Sequence, residues 1–192
     1  MIRAIIFDCY GVLVADALYH LLDPLFARDP DAHARIRGVL GMADTGLITA
    51  DEASAKIAAE IGLSPDEYRR KMIAGEIKDQ QLLDYIENLR RHYKTGMLTN
   101  IPEGNIARRF TSAEITRYFD VALASSEIGV AKPETRAYEI AAERLGVRPD
   151  ECVFVDDRQR YLDGAQALGM HTILYKNFLE FRGQLEALLA NS

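Results

Sequence analysis

The sequence predicts a doubly wound α/β fold, a parallel sheet with helices on both faces, carrying a small helical insertion after its first strand. Three observations carry that prediction. Short, almost wholly apolar runs recur along the chain, and the segments between the later runs have helical periodicity. Between the first two runs lie about eighty residues with no convincing strand, far more than a crossover helix needs.

The first run, Arg3-Ala4-Ile5-Ile6-Phe7, suits a central parallel strand covered on both faces, and it stops at Asp8. In the long interval after it, Thr49-Ala50-Asp51-Glu52 and Ser64-Pro65-Asp66-Glu67 both match a capping box, the second with proline at the first helical position. These are helix starts. After the first, Ala53, Ile57, Ala58 and Ile61 fall on one face; after the second comes Tyr68 to Ala74. Residues 15–77 are therefore expected to form a helical cap, and residues 1–14 and 78–192 an α/β core whose first helix runs from about Gln80 to His92. Further strands are expected at Thr95 to Leu98, Val121 to Ala124, Cys152 to Val155 and Thr172 to Leu174.

A chain of 192 residues, 48% of them hydrophobic, can bury a full core. Its formal net charge of −6 argues against a nucleic-acid partner or an anionic membrane surface, both of which select a basic face, and points to a small molecule. The two cysteines, Cys9 and Cys152, sit inside apolar runs and read as reduced thiols. No secretory-type leader opens the chain and no run of about 18 apolar residues occurs, so the expected compartment is the cytoplasm. Four histidines without paired spacing and cysteines without a CxxC leave little basis for a zinc site.

In an open α/β sheet, ligands gather at the carboxyl ends of the strands. Asp8 follows the first strand, Thr99 and Asn100 the second, and Asp156 and Asp157 the fourth; Lys132 lies in the loop from Glu127 to Pro133 that leads into a helix from Glu134 to Leu145. Singly, each has a bland explanation as a turn former, helix cap, solvated charge or dipole partner. Together they bring a nucleophile, a hydroxyl, an ammonium and an acidic pair to one edge of the sheet.

Phe7-Asp8-Cys9-Tyr10-Gly11-Val12-Leu13, Met97-Leu98-Thr99-Asn100, Lys132-Pro133 and Val153-Phe154-Val155-Asp156-Asp157 resemble, in order, the four motifs of the haloacid dehalogenase-like superfamily. Gly164 to Met170 also resembles the segment after the fourth motif in that superfamily, and the insertion lies where its first-type cap is placed. Gly41 to Glu52 and the double aspartate look most like the branch of small sugar-phosphate phosphatases. The resemblance implies a magnesium-dependent hydrolase of a small phosphorylated substrate with Asp8 as covalent nucleophile, and a cap this small leaves room for a homodimer as well as a monomer. It implies Mg²⁺ held by Asp8, Asp157 and the Tyr10 backbone carbonyl, with Asp156 as ligand or supporting partner. Thr99, the Asn100 backbone N–H and Lys132 would hold the phosphoryl oxygens, with specificity set by the cap.

One departure bears on the chemistry. Phosphatases of the superfamily usually carry a second aspartate two residues after the nucleophile, and here that position is Tyr10, either a packed aromatic or a substrate contact. A phenol of ordinary pKa near 10 is a poor base at neutral pH. Tyrosine there resembles 2-haloacid dehalogenases, which make the rival reading on the same Asp8; a catalytically weak phosphate-ester-binding protein is the third. The acidic pair favours the phosphatase, because two like charges about 4 Å apart repel by about 4 kcal/mol even at an effective dielectric near 20, and such a cluster calls for a cation. Tyr161, where many relatives place asparagine, would shape or cover the substrate pocket or lie as a helix-surface aromatic, and Arg158 and Arg160 would reach a substrate phosphate or a partner or stand as solvated helix charges.

Overall fold

The computed structural model describes residues 1–102 and 104–191, so Ser192, the last residue of the expected core segment, lies outside the described residues. The chain runs β1 (Ala4–Phe7), α1 (Ala17–Arg28), α2 (Pro30–Asp44), α3 (Ala50–Glu60), α4 (Pro65–Gly75), α5 (Gln80–Leu89) and β2 (Lys94–Thr99). It continues through α6 (Asn105–Arg109), α7 (Ser112–Tyr118), β3 (Val121–Ala124), α8 (Ser125–Ile128) and α9 (Thr135–Leu145). Then come β4 (Cys152–Asp156), α10 (Gln159–Gln166), β5 (His171–Leu174) and α11 (Phe178–Ala190). The described strands form one parallel sheet in the order β3-β2-β1-β4-β5, the doubly wound arrangement that the sequence predicts.

The apolar run of β1 is explained by its place. It pairs with β2 from Ala4↔Lys94 to Phe7↔Met97 and with β4 from Ala4↔Cys152 to Phe7↔Val155, and all four residues are buried. Alternation divides its side chains between two cores. Ile5 and Phe7 pack with Leu82, Ile86 and Phe181 of α5 and α11, while Ala4 and Ile6 pack with Tyr138, Ala141 and Leu162 of α9 and α10. From β1 the chain steps outward to β2 and β3, then returns to the other side of β1 for β4. The strand order therefore switches between β1 and β4, where a crevice opens at their carboxyl ends.

Residues 15–77 hold four helices, α1 to α4, with an apolar cluster of their own that includes Leu22, Leu25, Ile36, Ile57 and Tyr68. Both capping boxes form, with Thr49 and Glu52 bonded reciprocally at 3.2 and 2.8 Å and Ser64 and Glu67 at 3.3 and 3.0 Å. Sequence reading did not locate α1 and α2. Pro24 lies inside α1 and obscures it, because a proline removes a backbone donor there. The start of α2 does carry a signal, Asp29 capping the N–H groups of Asp31 and Ala32 with Pro30 at the first helical position. Entry to and exit from these helices run side by side: the Ala15 N–H donates to Ile77 O at 2.9 Å, the Asp79 N–H donates to Leu13 O at 2.9 Å, and Val14 bridges Lys78 antiparallel.

Helix α5 ends at Leu89, short of the expected His92, because the Arg91 and His92 N–H groups bond to Asn88 O and Leu89 O and tighten the chain into a turn. Helix α9 begins at Thr135 with Glu134 as its cap. Cys9 and Cys152 are buried free thiols. Among the described residues no helix is long and apolar enough to cross a membrane.

Candidate active site

Asp8 is held where β1 ends. Its backbone N–H donates to Val155 O at 2.9 Å, which carries the ladder one residue past the strand and puts the buried carboxylate at the mouth of the crevice. At the tip of β4, Asp156 is fully buried and both of its carboxylate oxygens are engaged, Oδ2 by Lys132 Nζ at 2.7 Å and Oδ1 by the Arg158 N–H at 2.9 Å. Asp157 differs. Its buried Oδ1 accepts no hydrogen bond among the described residues, and Arg158 Nε stands 3.7 Å away. Asp8, Asp156 and Asp157 each offer an oxygen within 4.8 Å of the others.

Gly11 makes this approach possible: its φ is +79°, and a Cβ on it would collide with the Asp157 carboxylate. Lys132 reaches the cluster from the other side, with Nζ 2.8 Å from Asp8 Oδ1 and over the rings of Tyr161 and Phe154 at 4.8 and 5.2 Å. Its backbone is fixed by Asn100, whose side chain accepts from the Lys132 N–H at 2.9 Å and donates to Lys132 O at 2.8 Å. Behind this loop, Gly164 of α10 has no room for a Cβ against Pro133 O, and Tyr138 OH donates to Tyr161 O at 2.6 Å.

Electrostatics follow from burial. Desolvation alone would lower the Lys132 pKa, but Asp8 and Asp156 together outweigh it and the ammonium is stabilised. Desolvation, reinforced by the charge of Asp8, raises Asp157 and pushes Asp156 up to about 7. The three carboxylates face the Lys132 ammonium and the Arg158 guanidinium, and the latter is shared with Asp16, so acids outnumber cations in the cluster. Orphaned Asp157 Oδ1, the hard oxygen donors and the cradle at Gly11 fit a divalent cation such as Mg²⁺.

Tyr10 lines the same cavity as Asp8. Its hydroxyl donates to Glu76 Oε1 at 3.3 Å, an oxygen that also accepts from Arg109 Nη2 at 2.6 Å, and the Arg109 guanidinium lies 5.4 Å from the ring. Burial raises the phenol pKa, so Tyr10 is a neutral donor. Sequence reasoning missed Glu76 and Arg109, which carry no local signal. For Arg158 and Tyr161 it left a surface place and a place at the pocket both open. Arg158 pairs with Asp16 at 2.7 Å and lies over the Tyr19 ring at 4.2 Å, and Tyr161 is buried against Lys132; both line the cavity. Cys9 faces the core, and burial raises its thiol pKa.

Above the strand tips lies a cavity of about 930 Å³, floored by Asp8, Thr99, Asn100 and Lys132 and walled by helical residues that include Leu40, Asp44, Ile57 and Tyr68. Asp157 opens on an adjoining cleft with Gly11, Asp16 and Arg158.

The fold and this acid-rich crevice at the switch point define a ligand-binding α/β protein. The chain matches the haloacid dehalogenase-like hydrolase family over residues 2–169 and belongs to it. Phosphatase MT3486 of Mycobacterium tuberculosis is 42% identical over 89 residues, 46% of this chain and 41% of that protein. (S)-2-haloacid dehalogenase 4A of Burkholderia cepacia is 30% identical over 81 residues, 42% of this chain and 35% of that protein. The chain spans less than half the length of the curated relatives it matches. A HAD family enzyme of Bacteroides thetaiotaomicron, solved in complex with magnesium and inorganic phosphate, shares the fold with a TM-score of 0.72 at 22% identity, covering 92% of this chain and 95% of that one.

Proposed function

We propose that this protein is a magnesium-dependent phosphatase that hydrolyses a small phosphorylated metabolite through an aspartyl-phosphate on Asp8. The observation that carries the reading is the convergence of Asp8, Asp156 and Asp157 within 4.8 Å, with a buried Asp157 oxygen that accepts no hydrogen bond among the described residues. Mg²⁺, held by Asp8, Asp157 and the Tyr10 carbonyl, would neutralise the repulsion between an anionic nucleophile and an anionic ester. Asp156, with both oxygens engaged by Lys132 and Arg158, supports the cluster rather than offering a free ligand atom. Phosphatase relatives and a structural neighbour that binds magnesium and phosphate point the same way.

The chain's own groups then have distinct tasks. Asp8 attacks phosphorus, so that one hard displacement becomes two easier ones. Lys132 steadies Asp8 Oδ1 and presents fixed positive charge to the phosphoryl oxygens, held in place by Asn100. Thr99, at the tip of β2, offers a hydroxyl, and Asn100 its backbone N–H. Residues 15–77 act as a cap over the core formed by 1–14 and 78–192, excluding water and selecting the substrate.

Tyr10 and the dehalogenase relative favour a second reading, halide displacement from a 2-haloacid by the same Asp8 without metal. A panel of phosphate esters and 2-haloacids, assayed with magnesium and with chelator beside Asp8→Asn, separates the two. Phosphate release lost both on chelation and in Asp8→Asn is the expected result. Metal-independent halide release overturns it, and tight ester binding without turnover supports a binding protein instead.

A further inference from the structure

Hydrolysis of an alkyl phosphate needs a proton for the departing oxygen and a base for the attacking water, and Tyr10 is a neutral phenol already donating to Glu76. The acids lining the main cavity besides Asp8 are Asp16, Asp44, Asp51 and Glu76. Asp16 is paired with Arg158 at 2.7 Å and Glu76 with Arg109 at 2.6 Å, while Asp51 is largely in solvent, 3.9 Å from Arg108. Asp44 alone is left. Its half-buried carboxyl has no hydrogen bond or ion pair among the described residues.

Its position is fixed by backbone. Asp44 O accepts from Ser125 Oγ at 2.6 Å, and the same Oγ accepts from the Ile101 N–H at 3.2 Å. Ser125 is fully buried and directly follows Ala124, which pairs with Thr99 across the sheet. The end of α2 is thus stitched through Ser125 onto Ile101, in the segment that follows Thr99 and Asn100 at the tip of β2. We propose that Asp44 is the general acid and base of the reaction, delivered to the strand tips by the helical insertion. The inference rests on the phosphatase reading.

Physical chemistry supports the assignment. An acid in the last turn of a helix sits against the negative end of the dipole, a local conflict of the kind expected where function overrides stability. Burial raises the Asp44 pKa to about 6; Lys132, Arg158 and Arg160 pull it down and Asp8 pushes it up. Such a group donates and accepts protons near neutral pH. In the first step the Asp44 carboxyl gives its proton to the ester oxygen as the P–O bond breaks and the bond from Asp8 to phosphorus forms. In the second, the Asp44 carboxylate takes a proton from water as the water oxygen bonds to phosphorus and the acyl-phosphate bond breaks, releasing inorganic phosphate and restoring both side chains.

Asp44→Asn, nearly isosteric and remote from the sheet core, tests the assignment with two substrates. A p-nitrophenolate leaves without a proton, whereas an alkoxide does not. The variant is expected to retain a p-nitrophenol burst within about threefold, then stall with a phosphoryl adduct on Asp8 visible by mass spectrometry, and to lose about 100-fold or more on an alkyl phosphate. Asp44→Glu, which keeps the carboxyl, is expected to turn over the adduct that the asparagine variant traps. Equal loss on both substrates without a trapped adduct, or undiminished alkyl-phosphate turnover, overturns the role of Asp44. Absence of ester hydrolysis in the unmodified protein overturns the phosphatase reading itself.

Discussion

The floor and the wall of the cavity are built on opposite terms. At the floor, the tips of β1 and β4 hold Asp8 and Asp156 buried and interlocked at 2.7 to 2.8 Å with Lys132, which enters from the loop before α9 and is fixed there by Asn100. The wall belongs to helices with their own apolar cluster, and it mixes apolar side chains such as Leu40 and Ile57 with charged ones, among them Arg37, Asp51, Arg69 and unpaired Asp44. Rigid sheet ends suit the placing of reacting groups, while a separately packed helical layer can vary its lining without disturbing them.

If that contrast is right, substitutions at the floor cost more than those in the wall. Asp8→Asn should reduce phosphate-ester turnover by on the order of 10⁶-fold, as removal of a nucleophile does elsewhere; residual activity within tenfold of the parent erases the distinction at its centre. Lys132→Ala strands Asp8 and Asp156 without their buried counter-charge and should destabilise the fold by about 3 to 5 kcal/mol, read from urea unfolding. A loss under about 1 kcal/mol would show the floor to be less interlocked than its distances suggest.

Gly11→Ala sharpens the comparison within the floor. Its Cβ displaces Asp157, so magnesium affinity measured by calorimetry should fall about 10- to 100-fold while Asp8 and Lys132 stay paired. The smallest effect belongs to the helical layer. Ser64→Ala removes the cap of α4 and should cost about 1 kcal/mol in thermal melts, with ester turnover retained.

The floor was legible in the sequence for the reason that makes it rigid. Parallel strands buried on both faces read as unbroken apolar runs, so the polar residue that ends each run, such as Asp8 or Thr99, stands out. The wall was half legible: capping boxes marked α3 and α4, but Pro24 hid α1, and α2 opened on a signal that was not used. Partnerships between distant residues left no local trace. Arg158 meets Asp16 across 142 positions and Glu76 meets Arg109 across 33, so the burial of those charges emerges only when the chain is folded.

The adjacent antiparallel entry and exit at Val14 and Lys78 have a wider consequence. Because the helical layer leaves the sheet and rejoins it through one doorway, a change in its length or lining leaves the register of every strand as it is.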